Sequence, residues 1–243
     1  MTQTVSKKVK SIVAAIKDYF KKSGMKKAVL GLSGGVDSSL VAKLAVMALG
    51  RENVTALILP NFSVNNPLNV RDAEKFCKTL GIRFYKVPIN GYLDNYENLP
   101  WKAMKFAKMN VQARVRANIL YHFANSNQAL VLGTGNKTEI ALGYFTKYGD
   151  GACDVLPIGS LYKTEVWEAA KLVGIPKEII EKVPSAELVE NQTDEGEIGV
   201  QYAEMDEILK KFEKGKKMST ESAKTVHKWV AANRHKNDMP VVL

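Results

Sequence analysis

The chain has 243 residues, 46% of them hydrophobic and 25% charged, which is the composition of a soluble globular protein with ample core. No run approaches the roughly eighteen uncharged apolar residues of a membrane-spanning helix, and the opening MTQTVSKKVK lacks the apolar stretch of a secretion signal. A cytoplasmic location with no membrane partner is therefore expected. The net charge of +10 sits at the ends: residues 1–27 carry eight lysines against one aspartate, and residues 210–236 carry nine basic side chains against two glutamates. Solvated helix faces and an anionic small substrate account for these charges better than a nucleic acid, and no nucleic-acid partner is expected. Cys77 and Cys153 form neither a disulfide framework nor a metal-ligand spacing.

In chain order, Val5, Val9, Ile12, Val13, Ile16 and Phe20 recur at helical spacing with lysines between them, so the chain opens on an amphipathic helix. AVLGL (28–32) reads as a buried strand. A helix to Ala48 follows, with Asp37 or Ser38 as its cap and Gly50 at its end. VTALILP (54–60) is a second strand, 68–80 a helix stopped by Gly81, and RFYKVPI (83–89) a third strand. A long helical stretch over 100–125 precedes a fourth strand, ALVLGT (129–134). Beyond residue 160 the pattern is helical: 163–173, 176–182, 201–214 and 219–233. Strands alternating with helices predict βαβ units around a parallel sheet. The expected fold is α/β: a doubly wound, Rossmann-like sheet of about five strands, with a helical C-terminal portion, in one domain over 1–243.

Ligands bind such sheets at the carboxyl ends of the strands. SGGVDS follows the first strand and GTGNKTE the fourth, so both belong at one edge. Gly34 and Gly35 let backbone N–H groups approach an anion, Ser33 and Ser38 add hydroxyls, and the next helix presents its positive end. No lysine follows the glycines, so this is not the common G-x-x-x-x-G-K-[ST] loop. Asp37 among phosphate donors calls for a cation, naturally Mg²⁺. The same residues also suit a Gly-rich turn with Asp37 as helix cap.

SGGVDS between a strand and a helix resembles the pyrophosphate loop of the N-type ATP pyrophosphatases, which split ATP between its α and β phosphates. The block 132–176, with GTGNKTE, FTKYGDGACD and PIGSLYK, closely resembles the ammonia-dependent NAD synthetases. So do QARVR (112–116), PSAELVENQTDE (184–195) and RHKNDMP (234–240), so that the likeness covers nearly the whole chain. It implies ATP contacts from Gly31, Leu32, Ser33, Gly34, Gly35, Val36, Asp37, Ser38, Thr134, Lys163 and Ser185. It implies Mg²⁺ on Asp37 and Glu139, and deamido-NAD on Arg114, Lys147, Asp154, His235 and Lys236, with Arg116 able to share the role of Arg114. It implies that ATP adenylates the nicotinate carboxylate of deamido-NAD and that ammonia then displaces AMP. Asp150 is a candidate base for keeping ammonia neutral. A homodimer with the substrate across its interface is implied as well, and the opening helix and the 100–125 stretch have apolar residues to supply it. KYGDGACD and 185–199, polar and Gly-containing, read as mobile loops able to close over a reactive adenylate. A tRNA-modifying ATP pyrophosphatase and a non-catalytic nucleotide-binding module are the rival readings. The first would explain the basic ends, but no paired cysteines or extra RNA-binding segment accompany them. The second would not require both carboxylates.

Overall fold

The computed structural model describes residues 2–216 and 218–242. Four parallel strands form one sheet: β1 (Lys27–Gly31), β2 (Val54–Ile58), β3 (Arg83–Lys86) and β4 (Ala129–Leu132), in the order β3-β2-β1-β4. The expectation of about five strands is one too many. Where a fifth would lie, Val155 makes a single parallel bridge with Leu132, and Pro157, which cannot donate to a ladder, follows two residues later. The chain turns away before a strand can grow.

Between the strands run α1 (Thr2–Ser23), α2 (Val36–Leu49), α3 (Pro67–Leu80), α4 (Asn90–Glu97) and α5 (Lys105–Asn127). After β4 come α6 (Lys137–Leu142), α7 (Lys163–Leu172), α8 (Lys177–Ile180), α9 (Asp194–Ile198), α10 (Tyr202–Glu213) and α11 (Glu221–Asn233). The expected stretch over 100–125 is α5, which starts five residues later, and the unexpected α4 ends before Pro100, whose ring disfavours helical geometry in the residue before it. α3 starts one residue early because Pro67 suits the first helical position and the Asn66 side chain accepts from the Leu68 N–H. It ends as expected at Gly81, in left-handed geometry.

One face of the sheet is covered by α1, α2, α3 and α7, where Ile16, Leu30, Leu40, Leu44, Ile58 and Val166 share a core. α5 covers the other face with Val115 and Ala124 against Val29 and Val131. A third cluster joins α6, α10 and α11 around Leu142, Tyr202, Met205 and Val226. The apolar stripe predicted for the opening helix exists, and it is spent inside the chain: Val5, Val9, Ile12, Ile16 and Phe20 are all buried. α1 therefore presents no apolar face for a second copy. β1 lies between β2 and β4, whose connections run to opposite sides, so the crevice for a ligand opens at the carboxyl ends of β1 and β4.

α2 carries the glycine loop, so its seating sets the site. Leu40→Ala, at a position with 0% exposure, is expected to cost about 2–5 kcal/mol. The check is a lowered urea midpoint at unchanged slope.

Candidate active site

A cavity of about 660 Å³ opens at that crevice, within the size range of small-molecule sites. Gly31, Leu32, Ser33, Gly35, Val36, Asp37 and Ser38 line it from β1 and the start of α2. The loop is closed by its own serines: Ser33 Oγ lies 3.1 Å from Ser38 Oγ and accepts from the Gly35 N–H at 3.2 Å. Neither Asp37 nor Ser38 caps α2. Its N-cap is Gly35, with no side-chain hydrogen bond, so the first-turn N–H groups face the cavity with the positive end of the helix behind them. Gly34 does not line the cavity. At φ 87° it takes a backbone form that suits glycine, and an added Cβ would collide with the Asn69 carbonyl oxygen of α3.

Asp37 and Glu139, in the first turns of α2 and α6 after β1 and β4, meet at Lys163. Lys163 Nζ donates to Asp37 Oδ2 at 2.5 Å and lies 3.9 Å from Glu139 Oε1. The residue that joins the two carboxylates is Asn136, fully buried. Its Nδ2 donates to Asp37 Oδ1 at 2.9 Å, and its backbone N–H donates to Glu139 Oε2 at 3.1 Å. Its Oδ1 accepts from the Glu139 N–H, completing a capping box on α6. The spacing N-x-x-E was visible in GTGNKTE; the link to Asp37, 99 residues away, was not. Burial and the Asp37 charge push the Glu139 carboxyl up to about 8, against the pull of Lys163. Burial alone would lower the Lys163 pKa, but Asp37 and Glu139 outweigh it and hold it above its ordinary value.

The start of α7 fixes the backbone of Lys163. Thr138 Oγ1 accepts from the Lys163 N–H, and buried Asp206 accepts from Thr138 Oγ1 and from the Thr164 N–H and hydroxyl. Asp194, which sequence reasoning passed over, lines the same cavity with 4% exposure.

On the opposite wall, FTKYGDG folds into close turns. Gly149 and Gly151 both donate to the Thr146 carbonyl, and Thr146 Oγ1 bonds to Asn110 Oδ1 at 2.8 Å. A Cβ on Gly151 would press into the Phe145 ring at 2.6 Å. The segment read as a mobile loop is thus fastened to α5 by its own hydrogen bonds. Asp150 Oδ1 accepts from the Thr146 N–H at 2.9 Å, and burial raises its pKa, opposed in part by Lys236 and Arg116. Lys236 Nζ reaches across to the Gly143 and Phe145 carbonyls, and burial lowers its pKa.

Of the two arginines in QARVR, Arg116 lines the cavity and Arg114 does not. Arg116 donates to the Leu59 carbonyl and Asn65 Oδ1, and burial lowers its pKa to about 10 against the charges of Asp150 and Glu187. Thr134 and Ser185 also line the cavity. Ser185 Oγ accepts from the Glu187 N–H. The 185–199 segment lies across the mouth, fastened by Asn65 and Asn69 to Glu187 and by Gln112 to the Leu188 carbonyl. Besides Gly34, four predicted positions stand outside the cavity: Arg114, Lys147, Asp154 and His235. Three of them cluster on one rim, where Arg114 donates to the Lys147 carbonyl and Lys147 Nζ to the His235 carbonyl. Asp154 is engaged within the fold, accepting from the Val131 N–H at the open edge of β4 and from the Tyr121 hydroxyl.

The NAD synthase family pattern matches residues 8–240. This chain belongs to the NAD synthase family. It is 47% identical over 236 residues to an NH(3)-dependent NAD(+) synthetase of Archaeoglobus fulgidus, covering 97% of this chain and 96% of that one. Among solved structures it resembles an NMN synthetase from Francisella tularensis, with a TM-score of 0.88 at 34% identity over 98% of both chains. It also resembles an NH3-dependent NAD synthetase from Campylobacter jejuni solved with a nitrate ion, with a TM-score of 0.83 at 32% identity, again over 98% of both.

In this member of the NAD synthase family, Asp37 and Glu139 offer hard oxygen donors from two helix starts, a donor set that suits Mg²⁺. Among the described residues no group of three or more His, Cys, Asp or Glu side chains would hold a metal by itself. Two carboxylates that share one ion with phosphate oxygens and water are the usual protein half of an Mg²⁺–nucleotide site. In the folded chain Glu139 keeps its proton up to about pH 8, against an ordinary value of 4.5. Its contribution to stability is thus complete below about 4.5 and lost as pH rises through about 8. Buried Asp150 and Asp194, with raised pKa values, act in the same direction. Without nucleotide or metal, the Tm is expected to fall between pH 5 and pH 9. Glu139→Gln, neutral throughout, should flatten that fall and match the wild type at pH 5. Melting curves across that range are the check.

Proposed function

We propose that this chain is an ammonia-dependent NAD synthetase, a carbon–nitrogen ligase that converts deamido-NAD, ATP and ammonia into NAD, AMP and pyrophosphate. The observation that carries the reading is the meeting of the glycine loop, the Asp37–Glu139 pair and Lys163 in one cavity that Asp150 also lines. The names of the relatives support the same substrates.

The loop amides of Gly31 to Ser38 and the N-terminus of α2 bind the β and γ phosphates, with Thr134 and Ser185 at the sides. Asp37 and Glu139 would hold Mg²⁺, which would supply charge neutralisation for the leaving pyrophosphate. Lys163 adds a compact positive charge on the same phosphates. The nicotinate carboxylate attacks the α-phosphorus, the bond to the bridging oxygen breaks, and pyrophosphate carries away the electron pair. Ammonia then attacks the acyl adenylate and AMP leaves. The attacking species must be neutral, so Asp150 Oδ2 takes a proton from ammonium while Oδ1 stays on the Thr146 N–H. Arg116 and Lys236 face the anionic acceptor from either side of Asp150, and the 185–199 segment excludes water from the adenylate.

Arg114, Lys147, Asp154 and His235 act outside the cavity, and a second copy explains their place. Tyr92, Tyr96, Trp101, Met104 and Phe106 of the α4–α5 region are exposed and form the face on which that copy packs. The acceptor then spans the interface, held by the rim cluster at its far end. No helix of the described residues is long and apolar enough to cross a membrane, and the enzyme works in the cytoplasm.

The likeness to an NMN synthetase favours a second reading in which the acceptor is the mononucleotide form of the nicotinate substrate. Incubation with ATP, Mg²⁺, ammonium and either deamido-NAD or nicotinate mononucleotide decides between them. AMP, pyrophosphate and NAD are expected together, and only with acceptor present. A faster yield of NMN than of NAD would move the assignment to the mononucleotide, and ADP in place of AMP would overturn both readings. Asp150→Asn should lower the rate with saturating ammonium by about 10²-fold or more, the scale of a lost general base. An unchanged rate would remove Asp150 from that role.

A further inference from the structure

Lys163 is held by more than the two carboxylates it touches. Its side chain is 3% exposed. Its ammonium lies 5.1 Å from the centre of the Tyr202 ring and 6.0 Å from that of Trp167. The hydroxyl of the same Tyr202 donates to Asp194 Oδ2 at 2.8 Å, while the Tyr144 hydroxyl, 3.3 Å from Asp194 Oδ1, makes its shorter bond to Glu197 Oε2 at 2.9 Å. Asp194 is thus held by Tyr202, is buried, and still lines the cavity. It sits at the start of α9, in the segment across the mouth, where its N–H bonds to the Pro184 carbonyl. Tyr202 links the two residues: its ring lies beside the ammonium and its hydroxyl holds the carboxylate.

The chemistry of nucleotide binding makes this third carboxylate useful. Lys163 donates to Asp37. A cation that takes Asp37 and Glu139 removes both of those carboxylates from the ammonium. A lysine left without them needs another contact to stay in place, and the ring of Tyr202 is the one beside it. The Tyr202 hydroxyl keeps Asp194 in one orientation.

We propose that Asp194 is a positioning residue for Lys163: it fixes the hydroxyl of Tyr202, whose ring keeps the ammonium aimed at the phosphate chain when Asp37 and Glu139 turn to a cation. The placement also couples the segment across the mouth to the phosphate site, because the carboxylate moves with α9. The inference rests on the reading of ATP as the ligand of this cavity.

The test is calorimetric binding of Mg·ATP, in the absence of acceptor and ammonium, to wild type, Asp194→Asn, Lys163→Ala and the double variant, with deamido-NAD binding measured alongside. Asp194→Asn is expected to weaken Mg·ATP about ten-fold, the scale of coupling within one charge network. Deamido-NAD binding should stay within about two-fold, and the same change in the Lys163→Ala background should add less than about two-fold. Tyr202→Phe, which keeps the ring and loses only the hydroxyl, should shift Mg·ATP binding in the same direction, and it carries the test if Asp194→Asn does not fold. An equal loss with and without Lys163, or equal losses for both ligands, would overturn the positioning role. So would unchanged Mg·ATP binding in Asp194→Asn or, where that variant does not fold, in Tyr202→Phe. A wild-type chain that fails to bind Mg·ATP would instead sink the functional reading on which this one stands.

Discussion

Two carboxylates and one ammonium, brought together from three distant parts of the chain, are the constraint around which the rest of this protein is arranged. Asp37, Glu139 and Lys163 are poorly exposed, with side-chain exposures of 18%, 19% and 3%. Charges this far from water are tolerable only when paired and hydrogen-bonded. Asn136 meets that demand by bonding to both carboxylates at once, and it does so from the cap of the helix that carries Glu139. The arrangement is a strained balance, since Glu139 holds its proton to about pH 8 beside Asp37.

The fold serves that balance. The switch in strand order around β1 opens a crevice at the carboxyl ends of β1 and β4, and the first turns of α2 and α6 bring one carboxylate each to it. α7 delivers the lysine from the far end of the chain, and its first turn is tied down by the buried Thr138–Asp206–Thr164 network. The opening helix contributes no chemistry. It gives its apolar stripe to the core under α2 and α7, and so stiffens the helices that present Asp37 and Lys163. Glycine matters at two places for steric reasons: Gly34 lets the loop lie against α3, and Gly151 lets the chain fold back on Phe145.

The opposite wall has a different logic. Arg116, Asp150 and Lys236 make an alternating row in which each charge moderates its neighbour. Basic groups there suit an anionic acceptor, and a single carboxylate with a raised pKa suits proton transfer at neutral pH. In the proposed reaction the two walls divide the work: one would handle the leaving group and the other the incoming nucleophile.

Much of this was legible in the residues alone. Alternating apolar runs and amphipathic stretches gave the βαβ order, because burial on two faces of a parallel sheet leaves few other patterns. SGGVDS and GTGNKTE could be placed at one edge from topology, and the block around FTKYGDG named the family. The missing fifth strand, the break before α5 and the uncapped start of α2 were not legible, since each turns on local competition between a proline or glycine and its surroundings. Neither was Asn136 as a bridge, Asp194 behind Lys163, or the choice of Arg116 over Arg114. Those roles depend on which side chains face each other after distant segments pack, and a one-dimensional pattern carries residue types and spacings but not facing directions. The sequence by itself determined the chemistry available and the edge of the sheet where it would gather. The tertiary structure decided which charges share a burial, because only packing sets the distances on which their energies depend.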